Sequence, residues 1–145
     1  MSDEISITFA LVIEHGREQE AADFYTAAFG ARVVETHSHD GELTDFDMLL
    51  GTTPIAVAGA NPKREANPAL GGPFFPKALG AVSAALRMTV ADLDAFVSKA
   101  VAAGATIRDA IQLDDRGGRS AAVFDPFGHI WGLSERLADT SRLAA

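Results

Sequence analysis

The chain has 145 residues, a formal net charge of −8 from 20 acidic and 12 basic side chains, and no cysteine. That length suits one domain with one sizeable core, and the missing cysteines exclude disulfides, thiolate metal sites and cysteine nucleophiles. The acidic balance disfavours nucleic acid and anionic membrane surfaces as partners, because both need a positive footprint.

Apolar residues make up 48% of the chain, the composition of a globular protein. No apolar run approaches the roughly 18 residues a membrane span needs. The opening MSDEIS lacks the basic and apolar segments of a signal peptide, so a cytoplasmic location is expected.

Residues 5–13 read as a strand. A helix follows over about residues 16–29, with Ala21, Phe24, Tyr25, Ala28 and Phe29 as its apolar stripe and Gly30 as its stop. His15 looks like a solvated residue before the helix. Three short strands come next, at about residues 32–37, 44–50 and 55–58. Phe46, Met48 and Leu50 alternate as an inward apolar set. Asp45 and Asp47 then form the polar side of an edge strand; the other reading is a carboxylate pair dividing acid and base roles. His37 and His39, beside Asp40 and Glu42, are either a solvated strand end or a surface metal site.

Residues 59–81 hold four of the six prolines and four glycines, so neither a regular helix nor a central strand is expected there. A connection this long is functional or mobile in most domains. Phe74 and Phe75 within it read as an aromatic plug or as a lid.

Residues 82–88 start a second series with a strand. Leu86 and Met88 should face a helix, which leaves Arg87 on the other side with Ser83 and Ala85. Leu93, Phe96, Val97, Ala100 and Val101 give the helix stripe, with Thr89 as N-cap, Asp92 in the first turn and Gly104 just past the end. Strands follow at about residues 106–113, 119–124 and 129–134, and Gly117-Gly118 makes hairpin chemistry between two of them. Arg116 and Arg119 flank that pair but form no phosphate loop, since no helix N-terminus follows. Asp125-Pro126-Phe127-Gly128 fits a type I turn, so Asp125 reads as a turn former. Beyond it His129, Trp131 and Leu133 share one side and Gly132 lies on the other. Trp131 is expected between sheet and helix, and His129 is expected to be packed or hydrogen-bonded under the turn.

The two series match at a constant shift of 74 residues. The fold class is therefore α+β: two βαβββ modules, at about residues 5–58 and 82–136, joined by residues 59–81 and followed by a tail at 137–145. Each module is a curved sheet with a helix on its outer face, and its other face needs cover from the second module or a second subunit.

AADFYTAAFGA at 21–31, VAAGA at 101–105 and DPFGHIW at 125–131, set in a doubled βαβββ pattern over residues 5–136, resemble the vicinal oxygen chelate superfamily. That group holds glyoxalase I, extradiol dioxygenases, fosfomycin resistance enzymes and bleomycin resistance proteins. The FYxxAFGA form is most similar to the PhnB-like branch.

The resemblance implies a homodimer and, in metal-dependent members, four side chains converging on one divalent cation. The corresponding positions here are Phe9, Ala58, Ser83 and Gly132, which offer one hydroxyl and no imidazole or carboxylate. No metal is expected at the usual place, no cofactor is expected, and no catalytic residue is assigned. The resemblance also implies that Arg87 binds an anionic group; the alternative is an internal salt bridge or a solvent-reaching strand end. One reading is a metal-independent protein that binds and sequesters a small molecule, an antibiotic or a metabolite, in a cavity lined by Phe9, Phe46, Met48, Ser83, Arg87 and Phe124. The other is a lyase, isomerase or dioxygenase-type enzyme with a non-standard or absent metal site.

Overall fold

The apolar stripe of the first helix is where the first core forms. In the structure, a computed structural model describing residues 4–136, α1 spans Glu18–Phe29. All five residues of its stripe are buried, and Gly30 ends it in the left-handed conformation. The helix begins later than expected, because a turn closed by Arg17 N–H on Glu14 C=O precedes it.

Around α1 lie β1 (Phe9–Ile13), β2 (Arg32–His39), β3 (Glu42–Leu50) and β4 (Thr53–Gly59), in the order β1-β4-β3-β2. β1 and β4 run parallel and the other neighbours antiparallel. Leu11 pairs with Val57, Val57 with Phe46, and Met48 with Ile55, so these five side chains share the face that α1 packs on. All five are essentially buried.

β1 is shorter than the expected 5–13. Phe9 pairs with Ile55, and the partner strand begins only two residues earlier, at Thr53. Ile5 therefore lies beyond the start of the partner strand, and Ile5 and Ile7 are both exposed. β3 is an inner strand, so Asp45 and Asp47 do not sit on an edge strand as expected; the β2 hairpin partner covers that side.

The connection corrects a second expectation. Pro62–Ala66 forms a short helix, α2, and a single 3₁₀ turn follows at Pro68–Leu70. Proline is compatible with a helix at its first position, where its missing N–H has no partner to lose. Asn61 caps α2 by accepting from Lys63 N–H at 2.9 Å. Phe74 is 39% exposed, which does not suit a plug.

The contacts divide the chain into two units, one ending at Pro76 and one starting at Lys77. The second unit repeats the first: β5 (Ala85–Val90), α3 (Leu93–Ala103), β6 (Thr106–Leu113), β7 (Arg119–Phe124) and β8 (Ile130–Glu135), in the order β5-β8-β7-β6. Two strands, β6 and β7, have the expected bounds.

β5 starts and ends later than expected. Before Ala85 the backbone is committed elsewhere: Gly80 N–H donates to Gly128 C=O, and Val82 N–H turns back to Gly80 C=O. At its other end Thr89 still pairs with Ser134. Thr89 is therefore a strand residue, and the α3 N-cap is Asp92, which accepts from Ala95 N–H at 3.1 Å. Leu93, Val97 and Ala100 are buried, while Phe96 is half-buried and Val101 exposed, a narrower stripe than the sequence implied. Trp131, Leu133, Val123 and Ala121 form the core under α3.

Candidate functional site

The DPFG segment folds as the expected turn, with Gly128 N–H donating to Asp125 C=O at 3.2 Å. Its aspartate does more. Asp125 is 1% exposed; Oδ1 accepts from the backbone N–H groups of Phe127 (2.9 Å) and His129 (3.0 Å), and Oδ2 accepts from the indole of Trp131 at 2.9 Å. Both oxygens are occupied, so Asp125 is a structural anchor. His129 is buried beside it.

The open face of the second sheet is different. Arg87 pairs across the ladder with Gly132, and Gly132 with Ala122. With no side chain on Gly132, the Arg87 stem lies across it; a Cβ there would stand 3.6 Å from Arg87 Cγ. The guanidinium makes no hydrogen bond or ion pair with any described residue. It lines an open cleft of about 580 Å³ together with Asp114, Asp115, Arg116, Ser120 and Ser134. Asp114 stiffens the rim, accepting from Arg116 N–H and Gly118 N–H, both at 2.9 Å. Arg116 is a second cation in the cleft without a side-chain partner among the described residues.

Arg119, three residues on, is not available to a ligand. It forks onto Glu135 (2.9 and 2.7 Å) and reaches Asp94 at 2.7 Å. The Arg119 hydrogen bonds, helped by Leu93 N–H, hold the Glu135 carboxyl down at about 2. The hydrogen bonds that Arg119 donates to Glu135 and Asp94 raise its own pKa in turn.

In the first unit a cleft of about 600 Å³ is lined by His15, Glu18, Glu42, Asp45, Gly59 and Lys63, among others. Glu18 is 4% exposed; Oε1 accepts from Gly16 N–H at 2.6 Å, and Oε2 lies 3.2 Å from His15 Nδ1. Gly59 makes the room, since a Cβ there would fall 2.2 Å from Glu18 Oε2. His15 thus has one ring nitrogen held by a buried carboxylate and the other 3.7 Å from Glu42 Oε2.

On the open side of β2 and β3, Glu35 pairs with Asp47 and His37 with Asp45. His37 Nε2 lies 2.8 Å from Asp47 Oδ2. That hydrogen bond, with the charges of Asp47, Glu35 and Asp45, raises the His37 pKa against a smaller effect of desolvation. Asp45 also accepts from Gly59 N–H at 3.3 Å.

The six residues expected to line one cavity are divided between the two units, Phe9, Phe46 and Met48 in the first and Ser83, Arg87 and Phe124 in the second. Phe46 and Met48 are 2% and 1% exposed on the α1-covered face, so they are core and not lining. Phe9 is 40% exposed at the start of β1. Ser83 is exposed in a bend outside β5, because β5 begins at Ala85. Phe124 shares the open face with Arg87 but packs on Gly80, whose added Cβ would meet its ring at 2.8 Å. Of the six, Arg87 lines the cleft. The four positions implied for a metal do not fit one: phenylalanine, alanine and glycine carry no donor and Ser83 lies off the strand. The neighbouring positions Ala10 and Ala84 add no ligating side chain.

The sequence missed Arg116, Ser120 and Ser134 as cleft residues and Glu18 as a buried carboxylate. The hairpin position of Arg116 and the i, i+3 spacing of His15 and Glu18 were the available signals.

The family model described as Glyoxalase/Bleomycin resistance protein/Dioxygenase superfamily matches residues 13–133. An uncharacterized protein of Mycobacterium bovis, Mb0911c, is 30% identical over 122 residues, 83% of this chain and 78% of that one. The solved structure of the Arabidopsis thaliana gene product AT5G48480 is 25% identical, with a TM-score of 0.66 over 91% of this chain and 99% of that one. A fosfomycin resistance protein from Listeria monocytogenes, complexed with Mn(II) and 1S,2S-dihydroxypropylphosphonic acid, shares the fold at 15% identity and a TM-score of 0.64, over 99% and 97% of the two chains. Among the described residues no helix is long and apolar enough to cross a membrane.

Proposed function

Because the chain belongs to the glyoxalase/bleomycin resistance protein/dioxygenase superfamily, we propose that it binds a small molecule through an anionic group seated on Arg87, without a metal at the superfamily's usual four positions. The observation that carries this reading is the Arg87 guanidinium, unpaired among the described residues, its stem lying across Gly132, in a cleft that also presents Arg116 and the hydroxyls of Ser120 and Ser134. A planar guanidinium offers two parallel N–H donors, the geometry that a carboxylate or a phosphonate accepts. The hydroxyls can donate to the remaining lone pairs, and the aspartates of the hairpin rim would favour a ligand that carries a cationic or hydroxylated group beside its anion. Sequestration, in the manner of a resistance protein, requires nothing beyond this binding. A dimer is part of the proposal.

The test is a thermal-shift screen of the chelator-treated protein against small carboxylates, phosphonates and antibiotics. Stabilisation by acids that disappears in Arg87→Ala supports the reading. Equal shifts in the variant remove Arg87 from the site.

One observation favours a second reading, an enzyme. Glu18 holds His15 in one orientation at the mouth of the other cleft, the arrangement of a carboxylate-oriented general base. His15→Gln would abolish turnover of an identified substrate if this reading holds and leave it intact if it does not.

A further inference from the structure

From the open side of the first sheet we infer a divalent-cation site made by Glu35, His37 and Asp47, separate from the four superfamily positions and from the Arg87 cleft. The three side chains present one imidazole nitrogen and two carboxylate oxygens, all within 4.8 Å of one another. They come from adjacent antiparallel strands: Glu35 and Asp47 are a register pair, and His37 is two residues further along β2. The backbone therefore fixes their spacing. Asp45, opposite His37, adds a third negative charge at the edge of the group.

Charge is the first argument. Among the described residues, no lysine or arginine side chain pairs with Glu35 or Asp47, and a single imidazole faces three carboxylates. Some other acids of the chain do have cationic partners: Asp94 and Glu135 share Arg119, Glu20 has Arg17, and Asp109 has Arg108. A divalent ion would neutralise two of the charges left over here.

Ligand chemistry is the second. Imidazole with carboxylates suits zinc and its first-row neighbours better than magnesium or calcium, which prefer oxygen alone. Bonds of roughly 2.0–2.2 Å to such an ion set ligand atoms about 3.4 Å apart in a tetrahedron. His37 and Asp47 stand at 2.8 Å and need to open slightly, while Glu35, on a flexible exposed side chain, closes in. On binding, the proton between His37 Nε2 and Asp47 leaves or moves to Nδ1, and the freed lone pair takes the metal. Water completes the coordination, since His37 and Asp47 are each 45% exposed.

The experiment is a calorimetric titration of the chelator-treated protein with zinc chloride alone. One saturable equivalent is expected, weakened at least about tenfold in His37→Ala and in Asp47→Asn. His39→Ala, two residues along the same strand, should bind as the parent does. Absence of a saturable equivalent overturns the inference, and so does binding unchanged in His37→Ala and Asp47→Asn. Loss of binding in His39→Ala to the same degree would also overturn it. Circular dichroism of each variant separates lost ligation from lost fold, because an exposed strand substitution should leave the spectrum unchanged. Zinc binding by Arg87→Ala should equal the parent's, which keeps this site independent of the proposed anion site.

Discussion

Asp125→Asn isolates one bond in the turn that anchors β8. Asp125 uses Oδ1 for two backbone N–H groups and Oδ2 for the Trp131 indole, and it is 1% exposed. An asparagine can keep its amide oxygen on the backbone pair. Its NH₂ then faces the indole N–H, donor against donor. One charge-assisted hydrogen bond is lost, about 1.5–3 kcal/mol, and a buried donor is left unpaired, about 1–3 kcal/mol. These overlap, so the expected loss is about 2–4 kcal/mol in urea unfolding. Trp131→Phe removes the same bond from the other side and also costs core packing. The informative quantity is the coupling between the two: in the double variant the bond is already gone, so the substitutions should cost about 1.5–3 kcal/mol less together than their separate costs imply. A coupling within about 0.5 kcal/mol of zero would refute the assignment of Asp125 as the indole's acceptor and reopen Asp125 as a residue kept for chemistry.

Glu135 titrates from 4.5 in its ordinary state down to about 2 beside Arg119. Its contribution to stability is therefore fully present above pH 4.5 and lost as pH falls from 4.5 toward 2; Glu135→Gln should show a flatter melting-temperature profile across that window and no added pH dependence above it. Gly59→Ala places a methyl on the buried Glu18 carboxylate and should cost about 1–3 kcal/mol in thermal or urea unfolding, while Glu18→Ala in the same chain should relieve the clash, so that the pair is less destabilised than the separate costs imply. Gly132→Ala should leave ligand shifts intact, because its Cβ meets Arg87 Cγ at an ordinary 3.6 Å; Gly132→Val should displace the arginine stem and weaken them, and intact shifts in the valine variant would show that the stem does not depend on that gap.

Apolar periodicity made α1 and α3 legible, since the α1 stripe and its glycine stop need only local sequence. β6 and β7 were legible for a similar reason, being bounded by a glycine stop, hairpin chemistry and an Asp-Pro turn. β1 was not. Ile5 read as strand, but its pairing is limited by where β4 begins, and that is information from another segment. Thr89 failed likewise: a good N-cap residue was claimed by the ladder to Ser134. Phe46 and Met48 were read as inward-facing, but a sheet with a helix on one side has two inward directions, and alternation alone does not choose between them. The His37–Asp47 pair was out of reach for a further reason. Counting back from the Asp40-Gly41 turn pairs His39 with Glu42 and Ser38 with Leu43, yet His37 pairs with Asp45 because Thr44 is an extra residue in the ladder. Arg87 was legible because strand alternation alone puts it opposite Leu86 and Met88.

The central claim is tested most directly by calorimetry with an acid that stabilises the protein, in the presence of chelator, comparing the parent with Arg87→Ala and Arg87→Lys. The account predicts saturable binding in chelator, at least about tenfold weaker in Arg87→Ala and incompletely restored by lysine, which keeps the charge but not the fork. Equal affinity in Arg87→Ala, or binding that vanishes with the chelator, would contradict it.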